Sequence, residues 1–222
     1  MIIIGHRGAA GYEPENTLRS FKKAIDMHVD MIEFDVHLCK SGEVMVIHDE
    51  TLERTTNAYG FVADSTFTQL VDIDAGKGEF IPTLEEVLDL ANKQCKINVE
   101  LKGKGTAGPV ADILKRYTRT GWSYEDFLIS SFDHDLLREF YSISPEAKIA
   151  ALLENDLDYG IKNIPLHAVN SSITNVTKEF VERAHKYRMK VYVWTVNNIE
   201  DYGRMLLYNV DGVFTDYPFL HV

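Results

Sequence analysis

Apolar and polar positions along the chain follow two periodicities in alternation. Short β-rich apolar runs recur from end to end, and segments with apolar residues at helical spacing lie between them. The apolar runs are Ile2–Gly5, Met31–Val36, Ile97–Leu101, Phe127–Ser130, Lys148–Leu152, His167–Asn170, Val191–Thr195 and Gly212–Phe214. Helical spacing and N-cap signals predict helices over Thr17–His28, from Thr83, over Asp133–Tyr141 and over Lys178–Lys186. The alternation predicts a parallel sheet.

Eight predicted strands are the number that closes a parallel sheet into a barrel. An open, doubly wound sheet would also alternate strands with helices, but it usually has fewer strands. The glycine-rich turns that bind nucleotides in such open sheets do not occur in this sequence. We therefore predict a (β/α)8 barrel of the TIM type that spans residues 1–222 as a single domain.

One segment interrupts the alternation after the second strand. Met31–Leu38 and Glu43–His48 are separated by too few residues for a parallel crossover, so the pattern predicts an antiparallel hairpin. A two-residue turn at Ser41-Gly42 would place Asp35 opposite His48. The apolar residues of one face in this register are Phe34, Val36, Leu38, Met45 and Ile47. The weakly periodic stretch that follows, at about residues 50–82, is predicted to be a small insertion over one end of the barrel.

Composition narrows the class of protein. The 222 residues are 45% hydrophobic and 26% charged and include two cysteines, which excludes a disordered chain and a disulfide scaffold. No apolar run approaches the roughly 20 residues of a membrane span. A net charge of −11 argues against a nucleic-acid partner. Met1 leads directly into the first strand without an export signal, so we expect a cytoplasmic protein.

Carboxylates cluster where two predicted neighbouring strands end. Glu33 and Asp35 are two residues apart, so both side chains point to the same face of a strand, and Glu100 and Lys102 repeat this spacing on the next barrel strand. Active sites of parallel barrels form at these carboxyl ends. Three carboxylates in one small volume repel one another unless a cation lies between them. Oxygen ligands suit Mg²⁺ or Ca²⁺, and the choice between the two stays open.

Histidines and cations flank this cluster. A divalent ion, Arg7 and Lys102 together would outweigh the three carboxylates by one positive charge, which is enough to attract a phosphodiester. His6 and His48 lie at the same end and are candidates for a general acid and a general base. A lone histidine at a strand end is more often structural, but two beside three carboxylates favour catalysis. The pattern predicts metal-assisted phosphoryl transfer.

At these residues the sequence resembles the glycerophosphodiester phosphodiesterase family. The motifs that carry the resemblance occur in the same order through nearly the whole chain. They are His6-Arg7-Gly8, Pro14-Glu15-Asn16-Thr17, Ile32-Glu33-Phe34-Asp35-Val36, Val46-Ile47-His48-Asp49, Leu52-Glu53-Arg54-Thr55-Thr56-Asn57, Asp74-Ala75-Gly76, Ile81-Pro82-Thr83-Leu84-Glu85-Glu86, Asn98-Val99-Glu100-Leu101-Lys102, Val193-Trp194-Thr195-Val196-Asn197 and Gly212-Val213-Phe214-Thr215-Asp216-Tyr217-Pro218.

The resemblance implies a TIM-type barrel enzyme of glycerol and lipid metabolism that hydrolyses glycerophosphodiesters to sn-glycerol 3-phosphate and an alcohol. In the family pattern His6 and His48 are the acid–base pair, and one divalent cation, Mg²⁺ or Ca²⁺, is held by three carboxylates. These carboxylates are Glu33, Asp35 and Glu100. The resemblance also implies that Arg7 and Lys102 contact the phosphate and that Phe132 and Trp194 contact the glycerol or the leaving group. Phe214 departs mildly from the family, where smaller residues are frequent.

Two alternatives remain at this point. The first is a lysophospholipase D, which would use the same chemistry on a substrate with an acyl chain. Apolar residues of the insertion would then bind the acyl chain, whereas in a glycerophosphodiesterase they would form the small core of the insertion. The apolar residues concerned are Tyr59, Phe61, Val62, Phe67 and Leu70. A non-catalytic phosphodiester-binding barrel is the second alternative, although a binding protein needs no pair of histidines. The alcohol, the route of attack on phosphorus and any homo-oligomeric state stay open.

Overall fold

Eight parallel strands close into a barrel in the computed structural model, which describes residues 1–154 and 165–218. The strands are β1 (Ile2–Gly5), β2 (Met31–Leu38), β3 (Val44–Val46), β4 (Lys96–Leu101), β5 (Phe127–Ser131), β6 (Lys148–Leu153), β7 (Ala168–Ser172), β8 (Lys190–Trp194) and β9 (Gly212–Thr215). Around the barrel the order is β1, β2, β4, β5, β6, β7, β8 and β9, and β9 pairs again with β1. The predicted (β/α)8 barrel is confirmed.

Helices follow most barrel strands. The described helices are α1 (Leu18–Asp26), α2 (Phe67–Leu70), α3 (Leu84–Ala91), α4 (Ala107–Thr118), α5 (His134–Ile143), α6 (Lys178–Lys186) and α7 (Ile199–Tyr208). Thr17, Thr83 and Asp133 act as N-caps, because the side chain of each accepts hydrogen bonds from backbone N–H groups of the first turn. Of the described residues, no helix combines the length and the apolar character that crossing a membrane requires.

The two faces of each barrel strand have different roles. Outward residues such as Ile32, Phe34 and Val99 pack under the helices in the largest buried cluster. Inward residues below the mouth of the barrel form a small core inside it. This inner core consists of Ile4, Met31, Leu128, Ala150, Ala168, Tyr192 and Phe214. Because side chains alternate with a period of two, the next inward positions toward the carboxyl ends all face the mouth of the barrel.

The hairpin forms as predicted, but its register is one residue away from the expected one. Val36 pairs with Val46 and Leu38 pairs with Val44, so the turn has three residues and Gly42 takes a φ of +102°. Asp35 therefore faces Ile47, whose N–H donates to the Asp35 carbonyl over 3.0 Å, and not His48. Apolar residues occupy both faces of β3, so the hydrophobic pattern does not distinguish the two registers.

The shift in register sends Met45 and Ile47 to a second core rather than to the face of Phe34 and Val36. This insertion core is formed mainly by the segment of about residues 50–82 together with the face of the hairpin that carries Asp35 and His37. It consists of Cys39, Met45, Ile47, Leu52, Val62, Leu70, Ala75 and Ile81. Tyr59 and Phe61 stay 85% and 49% exposed, so the apolar residues of the insertion divide between its core and its surface.

Candidate active site

A cavity of about 210 Å³ opens at the carboxyl ends of the barrel strands. Its wall includes every sequence-predicted site residue except Asp35, which is buried and contacts two of the lining residues. The lining residues are His6, Arg7, Glu33, His48, Glu100, Lys102, Ser130, Phe132, Leu152, Asn170, Trp194 and Phe214. The structure therefore brings together side chains that are far apart in the sequence, at the end of the barrel where the sequence predicted them.

The three predicted metal ligands form one cluster. Glu33, Asp35 and Glu100 are buried, and one oxygen from each lies within 4.8 Å of the other two. Asp35 on β2 is directly opposite Glu100 on β4. Burial, followed by repulsion from Asp35, raises the pKa of Glu33 well above its usual value and the pKa of Glu100 to about 7. A divalent cation would relieve this repulsion, and the all-oxygen donor set fits Mg²⁺ or Ca²⁺.

Two cations contact the carboxylate cluster. Lys102 Nζ lies 3.0 Å from Glu100 Oε1 and 3.9 Å from Asp35 Oδ1. Arg7 Nε lies 3.4 Å from Asp35 Oδ2, and the backbone N–H of Arg7 donates to Glu33 Oε2 over 3.0 Å. These cations offset part of the negative charge and present positive groups to the cavity, where a phosphate would bind.

The backbone after β1 takes an unusual conformation that places Arg7 at the carboxylate cluster. Arg7 has a φ of +49°, and Gly8 follows with a φ of +86°. A Cβ at Gly8 would lie 2.4 Å from Oγ of Ser20, so only glycine fits between this turn and α1. The His-Arg-Gly sequence thus directs the side chains of His6 and Arg7 to the cavity, binds Glu33 through the backbone of Arg7 and lets α1 approach at Gly8.

The Pro14-Glu15-Asn16-Thr17 segment forms hydrogen bonds with charged residues of the site. The Asn16 side chain donates from Nδ2 to Asp35 Oδ2 over 3.0 Å, and the Glu15 carboxylate accepts from Arg7 Nη1 over 2.7 Å. Thr17 then caps α1. Each polar residue of the segment therefore has a separate structural task, two of them directed at charged groups of the site.

His6 is oriented by a carboxylate from the last strand. Asp216 Oδ1 lies 2.7 Å from His6 Nδ1, and because a carboxylate can only accept, the imidazole donates from Nδ1. Asn197 fixes this carboxylate by donating from Nδ2 to Asp216 Oδ2 over 2.6 Å. The Nε2 atom of His6 is left as the ring nitrogen that can exchange a proton with a bound molecule.

His48 is oriented by a different and more exposed set of groups. Its Nδ1 donates to Asp49 Oδ1 over 2.5 Å, and its Nε2 lies 3.2 Å from Lys102 Nζ. Arg54 binds Asp49 through Nε over 2.6 Å and binds Glu15 through both terminal nitrogens. Burial lowers the pKa of His48, although Asp35 and Asp49 oppose the shift.

On the other side of the cavity, the described residues include no ionised side chain. Ser130, Leu152, Asn170 and Trp194 come from four consecutive strands, β5 to β8, counting around the barrel. The rings of Phe132 and Trp194 meet edge to face with their centroids 5.8 Å apart. Lys102 Nζ lies 5.8 Å from the centroid of the Phe132 ring, so this aromatic residue borders the charged side.

Several supporting residues were not singled out by the sequence analysis. Side-chain hydrogen bonds hold the two histidines and Arg7 in place, and the residues that make them are Glu15, Asp49, Arg54, Asn197 and Asp216. All five lie in motifs that carried the family resemblance. A carboxylate next to a candidate histidine, as in His48-Asp49, was the available signal.

Together, these groups are arranged for the cleavage of a phosphodiester. Buried carboxylates can bind a divalent cation, Arg7 and Lys102 can neutralise phosphate oxygens, and two histidines with fixed tautomers can transfer protons. An ester substituent would then lie against the uncharged side of the cavity.

Comparisons with known proteins agree with this chemistry. The model of the glycerophosphoryl diester phosphodiesterase family matches residues 6–220. Glycerophosphodiester phosphodiesterases of Bacillus altitudinis and of Caldanaerobacter subterraneus subsp. tengcongensis are 37% and 36% identical to this chain, over 97% and 98% of it and 94% of each relative.

A solved structure shares both the fold and the length of the chain. It is an Oleispira antarctica phosphodiesterase in complex with the product sn-glycerol-3-phosphate, with a TM-score of 0.89 and 25% identity over 98% of this chain and 94% of that one. Fold, site and sequence therefore agree: the chain is an enzyme and belongs to the glycerophosphoryl diester phosphodiesterase family.

Proposed function

We propose that the enzyme hydrolyses glycerophosphodiesters to sn-glycerol 3-phosphate and an alcohol, using one divalent cation and a pair of histidines. The observation that carries the proposal is the placement of His6 and His48 on one cavity, each held by its own carboxylate, next to three buried carboxylates. A binding protein would need the cations but would have no use for two histidines with fixed tautomers.

Glu33, Asp35 and Glu100 are the proposed ligands of the cation, which is Mg²⁺ or Ca²⁺. When bound, the cation supplies Lewis-acid stabilisation of the charge that develops on the phosphoryl oxygens. Lys102 and Arg7 add fixed positive charge beside the carboxylates, at 3.0 Å from Glu100 and 3.4 Å from Asp35. Because these groups are positioned before the substrate arrives, little reorganisation is needed in the transition state.

The histidines divide the proton transfers between them. One takes the proton of the attacking hydroxyl group and the other gives a proton to the leaving alkoxide, so no net proton is gained or lost by the pair. His6 uses Nε2, since its Nδ1 is committed to Asp216. Asp216 and Asp49 stabilise whichever imidazole becomes protonated during the reaction.

The attacking hydroxyl group comes from water or from C2 of the glycerol itself. In the first route water attacks phosphorus directly and displaces the alcohol in a single step, which inverts the configuration at phosphorus. In the second route the 2-hydroxyl group displaces the alcohol and forms a 1,2-cyclic phosphate, which water opens in a second step. Detection of the cyclic phosphate identifies the second route, whereas single-step incorporation of solvent ¹⁸O with inversion identifies the first.

The uncharged side of the cavity is proposed to hold the organic part of the substrate. Phe132 and Trp194 present an aromatic surface there, and Phe132 stays 39% exposed at the rim. An acyl chain, as in a lysophospholipase D substrate, would need a longer apolar groove. Val62 and Leu70, two of the apolar residues of the insertion, are instead committed to the insertion core, which favours the smaller substrate.

The test is release of glycerol 3-phosphate from glycerophosphocholine and glycerophosphoethanolamine. The protein is first treated with EDTA, and Mg²⁺ or Ca²⁺ is then restored. We expect release only when a cation is restored. Lysophosphatidylcholine is assayed in parallel, and a rate that exceeds the rate on glycerophosphocholine would replace the proposal by a lysophospholipase D activity. A folded protein that binds the diester but releases no product with either cation would contradict it.

A further inference from the structure

Two polar side chains on the uncharged side of the cavity have no hydrogen-bond partner among the described residues. Asn170 is fully buried, and neither its Nδ2 nor its Oδ1 makes a hydrogen bond with any described residue. Trp194 Nε1 is also buried and makes no hydrogen bond with any described residue. Both residues line the active-site cavity, Asn170 from β7 and Trp194 from the end of β8.

The other residues on this side of the cavity are either hydrogen-bonded or apolar, so the unpaired groups of Asn170 and Trp194 stand apart. Ser130, the other polar residue on this side, accepts a hydrogen bond from Asn98 Nδ2 over 2.6 Å. Leu152, Phe132 and Phe214 complete this side of the lining and are apolar. Burying an amide without partners costs free energy, so native proteins satisfy such groups or use them. A leucine at position 170 would have the same branching and the same number of side-chain heavy atoms, and it would incur no such cost.

The position of Asn170 points to the ligand. In the ring of eight strands, β7 lies four strands away from β2 in either direction, so it is directly across the mouth from the strand that carries Glu33 and Asp35. A substrate whose phosphate binds at the carboxylate cluster and the two cations would extend toward Asn170. The group that reaches it must both donate and accept hydrogen bonds, because an amide offers one donor group and one acceptor.

We propose that Asn170 and the indole N–H of Trp194 bind the hydroxyl groups of the glycerol part of the substrate and of the product. This assignment rests on the proposed function. A hydroxyl group accepts from Asn170 Nδ2 or from Trp194 Nε1 and donates to Asn170 Oδ1, so a diol satisfies the three atoms. The pair then determines specificity for a polyol ester over an alkyl ester, since a ligand without hydroxyl groups leaves them buried and unsatisfied.

The test compares two ligands that differ in hydroxyl groups alone. Binding of sn-glycerol 3-phosphate and of propyl phosphate is measured by calorimetry in the presence of the cation that supports hydrolysis, or of Mg²⁺ if neither does. The wild type is expected to prefer glycerol 3-phosphate by at least about tenfold. Asn170→Leu should abolish most of this preference and leave propyl phosphate binding unchanged or tighter. Trp194→Phe, which keeps an aromatic ring and removes the indole N–H, should reduce the preference less.

Ser171→Ala is the matched control. Ser171 is the next residue of the same strand, its Oγ is also buried without a partner among the described residues, and it does not line the cavity. This variant should keep the preference. The thermal midpoint without ligand adds a second readout: Asn170→Leu should raise it, because an unsatisfied amide is removed, whereas the loss of an asparagine with a structural role would lower it.

The outcomes separate the two proposals. A folded Asn170→Leu variant that keeps the preference overturns the assignment, as does equal weakening of both ligands together with a lower thermal midpoint. If Asn170→Leu does not fold, unchanged preference in Trp194→Phe is the contradicting result. Hydrolysis of glycerophosphocholine by the wild type is measured alongside. Hydrolysis without any preference contradicts the assignment alone, and preference without hydrolysis contradicts the proposed reaction alone.

Discussion

The mouth of the barrel has a charged half and an uncharged half, and the two are built differently. Strands β1, β2 and β4, with the hairpin strand β3, supply the charged half. Its residues are His6, Arg7, Glu33, Asp35, His48, Glu100 and Lys102. Strands β5 to β8 supply Ser130, Phe132, Leu152, Asn170 and Trp194. The same inward positions of one fold thus carry two kinds of surface.

The difference separates chemistry from recognition. In the charged half nearly every group contacts another charged group, and burial together with repulsion from Asp35 and Glu100 raises the pKa of Glu33. This half is costly for folding and is suited to stabilising a transition state. In the part of the chain that the structure describes, the uncharged half has few polar side-chain atoms, and those of Asn170 and Trp194 have no hydrogen-bond partner. It is suited to distinguishing one ester group from another.

The largest effect should come from the histidines of the charged half. His6→Ala and His48→Ala are each expected to lower kcat on glycerophosphocholine by about 10²–10⁴-fold, since each removes one proton transfer. Circular dichroism should show an intact fold. His185→Ala is the control, because His185 also pairs with an aspartate, Asp211 at 2.7 Å, but lies outside the cavity. Near-normal rates in both variants would refute the acid–base assignment.

The second effect concerns stability and should be confined to the charged half. Saturating cation should raise the thermal midpoint of the wild type by about 5–10 °C, which corresponds to about 2.7 kcal/mol at 100 times Kd. Asp35→Asn should lose most of this shift. Glu33→Gln should in addition raise the midpoint of the metal-free protein, because it removes a buried acid that its neighbours repel.

Asn170→Leu serves as the control for that measurement, since it changes the uncharged half and should keep the full metal-induced shift. An equal shift in the wild type and Asp35→Asn would mean that the cation binds elsewhere.

A smaller effect is expected where the charged half meets the insertion. Arg54→Gln removes the guanidinium that joins Asp49 to Glu15 and leaves His48 less firmly oriented. We expect kcat to fall about tenfold with little change in KM, because the ground-state contacts remain. Arg204→Gln is a matched control: Arg204 pairs with Asp201 and is 46% exposed, as is Arg54. A change in KM alone would contradict a positioning role.

The smallest effect belongs to the aromatic rim of the uncharged half. Phe132→Ala removes a partly exposed ring and its edge-to-face contact with Trp194. We expect kcat/KM to fall by about three- to tenfold, equivalent to about 1 kcal/mol, with an unchanged metal-induced thermal shift. A loss as large as that of the histidine variants would show that the two halves are not separable.

The same division explains how far the sequence could be used for prediction. Eight apolar runs and the i, i+2 carboxylates predicted the barrel and the charged half, because titratable residues at strand ends are a strong signal. The uncharged half gives no such signal. In the sequence, Leu152 is indistinguishable from a core residue, and Asn170 is indistinguishable from an ordinary polar residue at the end of a strand. Phe132 and Trp194 came from the family resemblance alone. Counting inward positions by twos from the inner core would have reached all four.

The hairpin was predicted with the wrong pairing for a related reason. Val44, Met45, Val46 and Ile47 are all apolar, so each register buries an apolar face. The choice is made by Gly42, whose positive φ allows a three-residue turn, and by a second core that the sequence pattern does not announce. Where both faces of a strand are buried, alternation carries no information about register.

Because the insertion core is separate from the two cores of the barrel, we expect the insertion to open independently of the barrel. His48 and Asp49 follow Ile47, which belongs to this smaller core, whereas His6 follows a strand of the barrel itself. Opening confined to the insertion would withdraw one of the two histidines while the amides of the barrel stayed protected from hydrogen exchange. Heating should therefore inactivate the enzyme before it unfolds the barrel, and inactivation of this kind should be reversible on cooling.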